Sequence, residues 1–401
     1  MNGSSPDPYA ASPKLAALSP DELTELMERY DAGEKATALI NEFGLRIAVS
    51  ELVMCFPPLV RPDHICPNCN IPMVSRHPSK SQLRLRNLNL PIFCPRCQHQ
   101  DSDDCQCEHC QDRRENQCRQ EEARKRRLIR ETYPLIRDNP RELSSLTLRE
   151  RVLLGALLRN GMAEDYSRIH PLCDQKDKLS PRPSYDVQII NSLCAKQLLT
   201  IHPESPIAAF CDDTEHPFPQ YFYPGYASYR VNIDAPCGYK GCLEYLMQPP
   251  EQFFYSCKPA EFHELWKEIA FEECMEYLVY RLNSVNFPFS PGEKTKAVFH
   301  DLLDHFSTAQ IFCFIGRAID KASTRALEQK LSKKHAANIV INTCQRQGEF
   351  ALANHWDIYP YRRDFKCPQS TLSSFFYDRV LQLGSRGFEL CPHKCLEVED
   401  Q

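Results

Sequence analysis

At 401 residues the chain is long enough for several domains and at least one sizeable core. With 42% apolar and 25% charged residues it has the composition of a folded globular protein rather than a disordered one, and a net charge of -5 excludes a uniformly basic nucleic-acid coat. No stretch reaches the roughly 18 consecutive apolar residues of a membrane-spanning helix.

Residues 1–18, rich in Ser, Pro, Ala and Gly, are expected to be a flexible tail. They lack an apolar segment behind a basic end, so no secretory signal is expected and the chain is placed in the cytoplasm. In that reducing compartment the 21 cysteines do not form a disulfide framework.

Residues 19–60 are predicted to be a trihelical unit. Ser19-Pro20 is a helix start, Gly33 a stop, and a second helix through Ala38, Leu39 and Phe43 ends at Gly44. A third is expected from about Ile47 to Cys55, before Pro57 and Pro58. The stretch EKATALINEFGLRIAVSELVMCF resembles a helix-turn-helix of the resolvase kind, which implies DNA contact; Arg46 is the one basic residue where a recognition helix would meet DNA. A protein-docking bundle is the other reading.

Residues 61–118 hold the densest chemistry. Cys66-Pro-Asn-Cys69 and Cys94-Pro-Arg-Cys97 are two C-P-x-C knuckles. Each such turn folds two sulfurs toward one point and aims its free amides at them, so the pair supplies the four thiolates of a tetrahedral Zn2+. The strand-like IPMVSR and NLPIF lie between them. This resembles a zinc ribbon.

Cys105, Cys107, Cys110 and Cys118 are candidates for a second Zn2+, with His99 and His109 as substitutes. Alternatively, Cys107 and Cys110 could pair with Cys94 and Cys97. Four-cysteine sites leave no open position for water, so the metal is read as structural. Looser groups are Cys237 with Cys242, and Cys367 with Cys391, His393 and Cys395. Cys194, Cys274 and Cys313 stand in apolar runs as buried thiols.

Six Lys or Arg stand against one Asp in residues 61–100, five acids fill 101–112, and 113–130 carries eight Lys or Arg against three Glu. Arg76, Lys80, Arg84, Arg86 and Arg96 are therefore the candidate phosphate contacts. Residues 119–145 read as a basic helical linker.

Residues 146–206 are expected to be winged-helix-like: an amphipathic helix capped by Thr147, a short second helix in AEDYSRIHPL, a third helix, then a strand in LLTIH. An aromatic and Pro-rich connector follows at 207–260, with a strand in YASYRVNI, and then a helical C-terminal domain at 261–401.

No phosphate-binding glycine loop, nucleophile elbow or zinc-protease helix is present. His335, Asn338, Glu349 and His355 are the only residues that suggest an acid-base cluster, and Tyr361, Arg362 and Arg363 form either a phosphate contact or a connector. The expected fold class is mainly α and multidomain. The leading expectation is a zinc-containing DNA-binding protein, a transcriptional regulator or mobile-element factor, with a protein partner or self-association through its C-terminal domain and no membrane. The alternatives are a non-catalytic adaptor and a nucleic-acid-processing enzyme using His335 and Glu349.

Overall fold

The computed structural model describes residues 7–84, 90–135, 140–234, 236–255 and 257–392. About 53% of the chain is helical, with few and small sheets. It divides into two compact units, Met1–Ala123 and Arg124–Gln401.

In the first unit, helix α1 (Pro20–Asp31) begins with a reciprocal cap. Ser19 Oγ accepts from the Glu22 N–H at 3.3 Å, and the Glu22 carboxylate accepts from the Ser19 N–H at 2.7 Å. Gly33, at φ 98, ends the helix in a conformation that L side chains rarely adopt. Helix α2 (Ala36–Glu42) follows and stops before Gly44. Arg29 ties the pair by donating to Glu34 at 2.9 Å and Glu42 at 2.8 Å.

The expected third helix is corrected. Only Leu52–Cys55 is helical (α3), a single turn. In the preceding Ile-Ala-Val-Ser run Ile47 packs half-buried against the core without helix while Val49 is exposed, and Pro57 and Pro58 prevent extension beyond Cys55. The segment therefore offers no second helix long enough to lie in a DNA groove. The expected tail is corrected as well: Leu15 is buried with Leu26, Leu39, Leu52 and Phe56, and the Ser12 N–H donates to Cys55 O at 2.9 Å.

The chain then forms a three-stranded antiparallel sheet in the order β1 (Leu59–Ile65), β2 (Pro72–Ser75), β3 (Ile92–Phe93). Val60 pairs with Val74, which pairs on its other side with Phe93, and β1 is irregular between Arg61 and Ile65. Helix α4 (Lys80–Arg84) lies between β2 and β3 in the chain. Phe56 joins the helices to the sheet, its ring 5.3 Å from Tyr30 and 5.3 Å from His77, edge-on to both. A strongly polar helix, α5 (Glu108–Thr132), begins in this unit and runs past its boundary.

The second unit contains β4 (Arg141–Glu142), α6 (Leu148–Gly161), α7 (Pro183–Ala195), β5 (Leu199–Ile201), β6 (Tyr229–Val231), β7 (Ile233–Asp234) and α8 (Gly238–Met247). These are followed by α9 (Pro259–Ser284), α10 (Glu293–His305), α11 (Thr308–Glu328), α12 (Lys333–Ala353), α13 (Thr371–Ser374) and α14 (Arg386–Glu389). Strand β4 pairs in parallel with β7, and β5 pairs antiparallel with β6.

Between α6 and α7 the expected short helix is replaced by turns. Asp165 accepts from the Ser167 N–H at 2.9 Å, Tyr166 is left-handed at φ 60, and Ile169 bridges Tyr229. The local side-chain bond competes with helix, and the bridge to β6 decides the matter. The stretch expected as a connector, 207–260, supplies Phe210, Tyr229, Val231, Leu243 and Leu246 to the core.

Helix α6 is almost wholly buried. A methyl group on Gly155 would come 2.6 Å from Leu246 O and from the Phe375 ring. Helix α9 carries a ladder of acids, each with a cation: Glu268 with Arg149 at 2.8 Å, Glu272 with Arg182 at 2.5 Å, Glu273 with Arg363 at 2.8 Å and Glu276 with Lys178 at 2.6 Å. Cys274 and Cys313 are fully buried and Cys194 is half-buried. Among the described residues no helix is long and apolar enough to cross a membrane.

Gly155→Ala is expected to lower the denaturant midpoint by an amount equivalent to about 1–3 kcal/mol, the usual cost of forcing an extra carbon into a packed core. Glu273→Ala leaves the Arg363 guanidinium largely buried without its carboxylate. It should cost roughly 3 kcal/mol by the same measurement.

Candidate metal centres

Both knuckles use one backbone pattern. In the first, the Cys66 N–H donates to Ile71 O at 2.9 Å and the Asn70 N–H to Cys66 O at 2.9 Å; in the second, the Cys94 N–H donates to His99 O at 2.7 Å and the Gln98 N–H to Cys94 O at 2.9 Å. Asn70 and Gln98 occupy the left-handed region at φ 52 and φ 58, where each turn reverses. Strands β1, β2 and β3 bring the turns together. Cys66 and Cys94 are fully buried, and the ligand atoms of Cys66, Cys69, Cys94 and Cys97 lie within 4.8 Å of one another.

A second group follows at once. His99, Cys105, Cys107 and Cys110 are all buried and also lie within 4.8 Å of one another. His99 Nδ1 is 3.4 Å from Cys105 Sγ, 3.7 Å from Cys107 Sγ and 3.3 Å from Cys110 Sγ. Cys107 closes the loop before α5, and Cys110 lies in that helix's first turn.

The distances suit a tetrahedral ion. Metal–sulfur bonds of about 2.3 Å hold two sulfurs about 3.8 Å apart, and Cys66 and Cys97 stand at 3.6 Å. Each group of four could hold a metal ion, and four thiolates or three thiolates with one imidazole are ligand sets of structural zinc. Four protein ligands would fill the coordination sphere of a tetrahedral ion and leave no position for substrate.

The sulfurs also perturb one another electrostatically. Burial works against the Cys94 thiolate, yet amide donors from Cys97 and Arg96 and the neighbouring thiols of Cys66 and Cys97 bring the group below its ordinary value. Desolvation pushes Cys69 and Cys97 up. In the second group, desolvation of Cys105 is outweighed by the N–H groups of Gln100 and Cys107, which bring it down to about 6, whereas desolvation and the adjacent sulfurs push Cys110 up to about 11. A divalent cation placed among these sulfurs would offset the desolvation that raises Cys69, Cys97 and Cys110.

His99 corrects the expected ligand set. Cys118 is exposed on α5 and is not part of the group. It lies eight residues beyond Cys110, about 12 Å along a helix. His109 is exposed on α5 and likewise stands outside the buried cluster. The alternative pairing of Cys107 and Cys110 with Cys94 and Cys97 is not adopted, since the two pairs belong to different groups.

Supporting contacts that sequence patterning does not reveal come from Asn68 and Arg114. Asn68 Nδ2 lies 3.9 Å from Cys107 Sγ while its Oδ1 accepts from Arg113 at 3.3 Å, and Arg114 donates to Cys105 O at 2.6 Å and Asp103 O at 3.2 Å. Two of the basic residues of 113–130 are therefore engaged around the second centre.

Of the candidate phosphate contacts, Arg76 and Arg96 are exposed and Lys80 is half-buried. The Arg76 guanidinium stands 5.9 Å from the Phe93 ring centroid, and Lys80 Nζ is 4.9 Å from that of Tyr30. Arg84 closes α4, and Arg86 lies outside the described residues, as do His393 and Cys395. Among the described residues, neither Cys237 with Cys242 nor Cys367 with Cys391 belongs to a metal-capable group.

A further trio, Cys211, Asp213 and His216, also has ligand atoms within 4.8 Å. Here the Asp213 carboxylate folds the loop, accepting from the Glu215 N–H at 3.0 Å and the His216 N–H at 2.8 Å. The imagined acid-base cluster does not assemble: His335 and Glu349 are both exposed on α12, fourteen residues or about 21 Å apart along the helix. In the Tyr361–Arg363 segment, Arg363 is committed to Glu273 and Arg362 is exposed.

No family model, curated protein or solved structure matches the chain. His99→Ala is expected to cut bound zinc from about two ions per chain to about one, measured by elemental analysis, because a three-thiolate remnant holds the ion less tightly. Cys118→Ser should leave the content unchanged.

Proposed function

We propose that the protein is a zinc-containing DNA-binding protein in which the first unit is a zinc ribbon with a second, appended zinc centre. The observation that carries this reading is the combination of two closed ligand sets, suited to a rigid scaffold, with exposed cations on the same ribbon. Arg76 and Arg96 have no carboxylate within ion-pair distance among the described residues. Cations of this kind follow phosphates and supply most of the affinity for a duplex.

In the second unit, α6 and α7 with the β5–β6 pair are read as a winged-helix-like element. The exposed positions of α7 are Pro183, Ser184, Val187, Gln188, Asn191 and Ala195, none of them charged, and the flanking Arg182 and Lys196 are paired with Glu272 and Glu150. Phosphate contact is therefore assigned to the ribbon, and Arg76, Lys80 and Arg96 are its named contacts.

One observation favours a second reading, a zinc-scaffolded protein adaptor. Val49, Met54, Val60 and Ile65 are exposed on the first unit, an apolar display suited to a protein surface.

Binding of the full chain to a DNA duplex at two salt concentrations separates the readings. The DNA-binding reading expects affinity to fall steeply with salt. Replacing Arg76, Lys80 and Arg96 together by Glu should weaken binding and flatten the log–log salt slope by about 0.9 for each phosphate no longer neutralised. Unchanged affinity in a variant that still carries its zinc rejects the assignment, and absence of duplex binding by the wild type favours the adaptor.

A further inference from the structure

Several cations of the second unit are matched by acids. Arg149, Lys178, Arg182 and Arg363 each meet an acid of α9, Lys267 meets Asp304, and Arg281 lies 3.8 Å from Asp320. The groove between α11 and α12 instead gathers four unmatched cations beside exposed aromatic rings.

Arg317, Lys321 and Arg325 follow one another at four-residue intervals on α11 and so share a face, with a rise of about 6 Å per step. Arg346 faces them from α12 across a groove of about 380 Å³. None of the four has a carboxylate within ion-pair distance among the described residues, and no acid lines the groove. Asp320, on the same helix, is turned toward Arg281.

The groove also displays two large aromatic rings. Phe350 and Trp356 are 60% and 59% exposed, although a buried position would be the ordinary fate of such side chains. Their centroids are 6.5 Å apart and their planes differ by 24°, so they form a near-parallel pair beside the cations. Below them Phe314 and Ile358 are buried and fix the floor.

We propose that this groove is a docking site for a single-stranded nucleic acid, with phosphates against Arg317, Lys321, Arg325 and Arg346 and bases stacked on Phe350 and Trp356. Unmatched cations select a polyanion. Exposed rings select one whose flat faces are free, which a duplex hides within its stack and an acidic peptide lacks. The inference rests on the second unit alone and does not require the reading of the metal centres.

The test uses the full chain and fluorescence anisotropy of labelled oligothymidylate, oligouridylate and a matched duplex. Single strands should bind with a log–log salt slope of about -0.7 for each phosphate neutralised. Trp356→Ala should weaken this binding about tenfold or more, and Trp356→Tyr should restore most of it. A double variant, Lys321→Glu with Arg346→Glu, should lower both affinity and salt slope. These exposed positions should leave thermal unfolding at the wild-type value, which excludes misfolding as the cause. Binding of either oligonucleotide over the duplex supports the proposal.

Absence of single-strand binding overturns it, as does a Trp356→Ala variant with wild-type affinity. Displacement of the oligonucleotide by poly-glutamate at equal concentration also overturns it, in favour of an acidic polypeptide. Charge reversal at Arg76, Lys80 and Arg96 should leave the groove's single-strand affinity in place, so failure of one proposal is distinguishable from failure of the other.

Discussion

Four sulfurs cannot share one small buried volume as anions without a cation among them, and the first unit is built around this constraint. Its two cysteine groups occupy the positions that a larger domain fills with aliphatic side chains. Around the first centre the buried apolar residues are Cys66, Met73 and Cys94, and around the second they are Cys105, Cys107 and Cys110. Such clusters bury too little hydrocarbon to offset the ordering of the chain, so a bound ion, contributing on the order of 10 kcal/mol in small domains, would take the place of a core. The sheet, the turns at Asn70 and Gln98 and the start of α5 all converge on these groups.

The second unit solves the same problem with conventional means. A buried helix, α6, is packed closely enough that Gly155 has no room for a side chain, and α9 carries polar groups into the interior in paired form. Each acid of its ladder meets a cation drawn from a different part of the chain: Arg149 from α6, Lys178 and Arg182 from the segment leading into α7, and Arg363 from the stretch after α12. Their geometry therefore fixes which segments surround α9.

What can be read in the sequence follows from the range of the forces involved. The Ser19 and Thr147 caps, the Gly33 stop and the paired knuckles are local, determined by residues a few positions apart, and they are legible. The mainly helical class follows from periodicity. Less legible are features set by distant partners. Ile169 joins a bridge to Tyr229, far along the chain, which removes an expected helix, and Leu15 leaves a polar tail for a core completed by Leu52. In the second ligand set the spacing of sulfurs is visible in sequence and suggests four cysteines. The entry of His99 depends on a turn whose direction only the folded knuckle fixes. The basic-aromatic groove is invisible to patterning because its residues are dispersed from Arg317 to Trp356 over two helices and a loop.

His99 serves both centres at once. Its carbonyl oxygen closes the second knuckle of the first centre by accepting from the Cys94 N–H, and its ring enters the second centre. The relation is asymmetric, because nothing in the first ligand set is supplied by Cys105, Cys107 or Cys110. Binding energies would nonetheless couple in both directions: an ion held by the ring would steady the turn whose carbonyl closes the first knuckle, and an ion in the first set would help aim the ring.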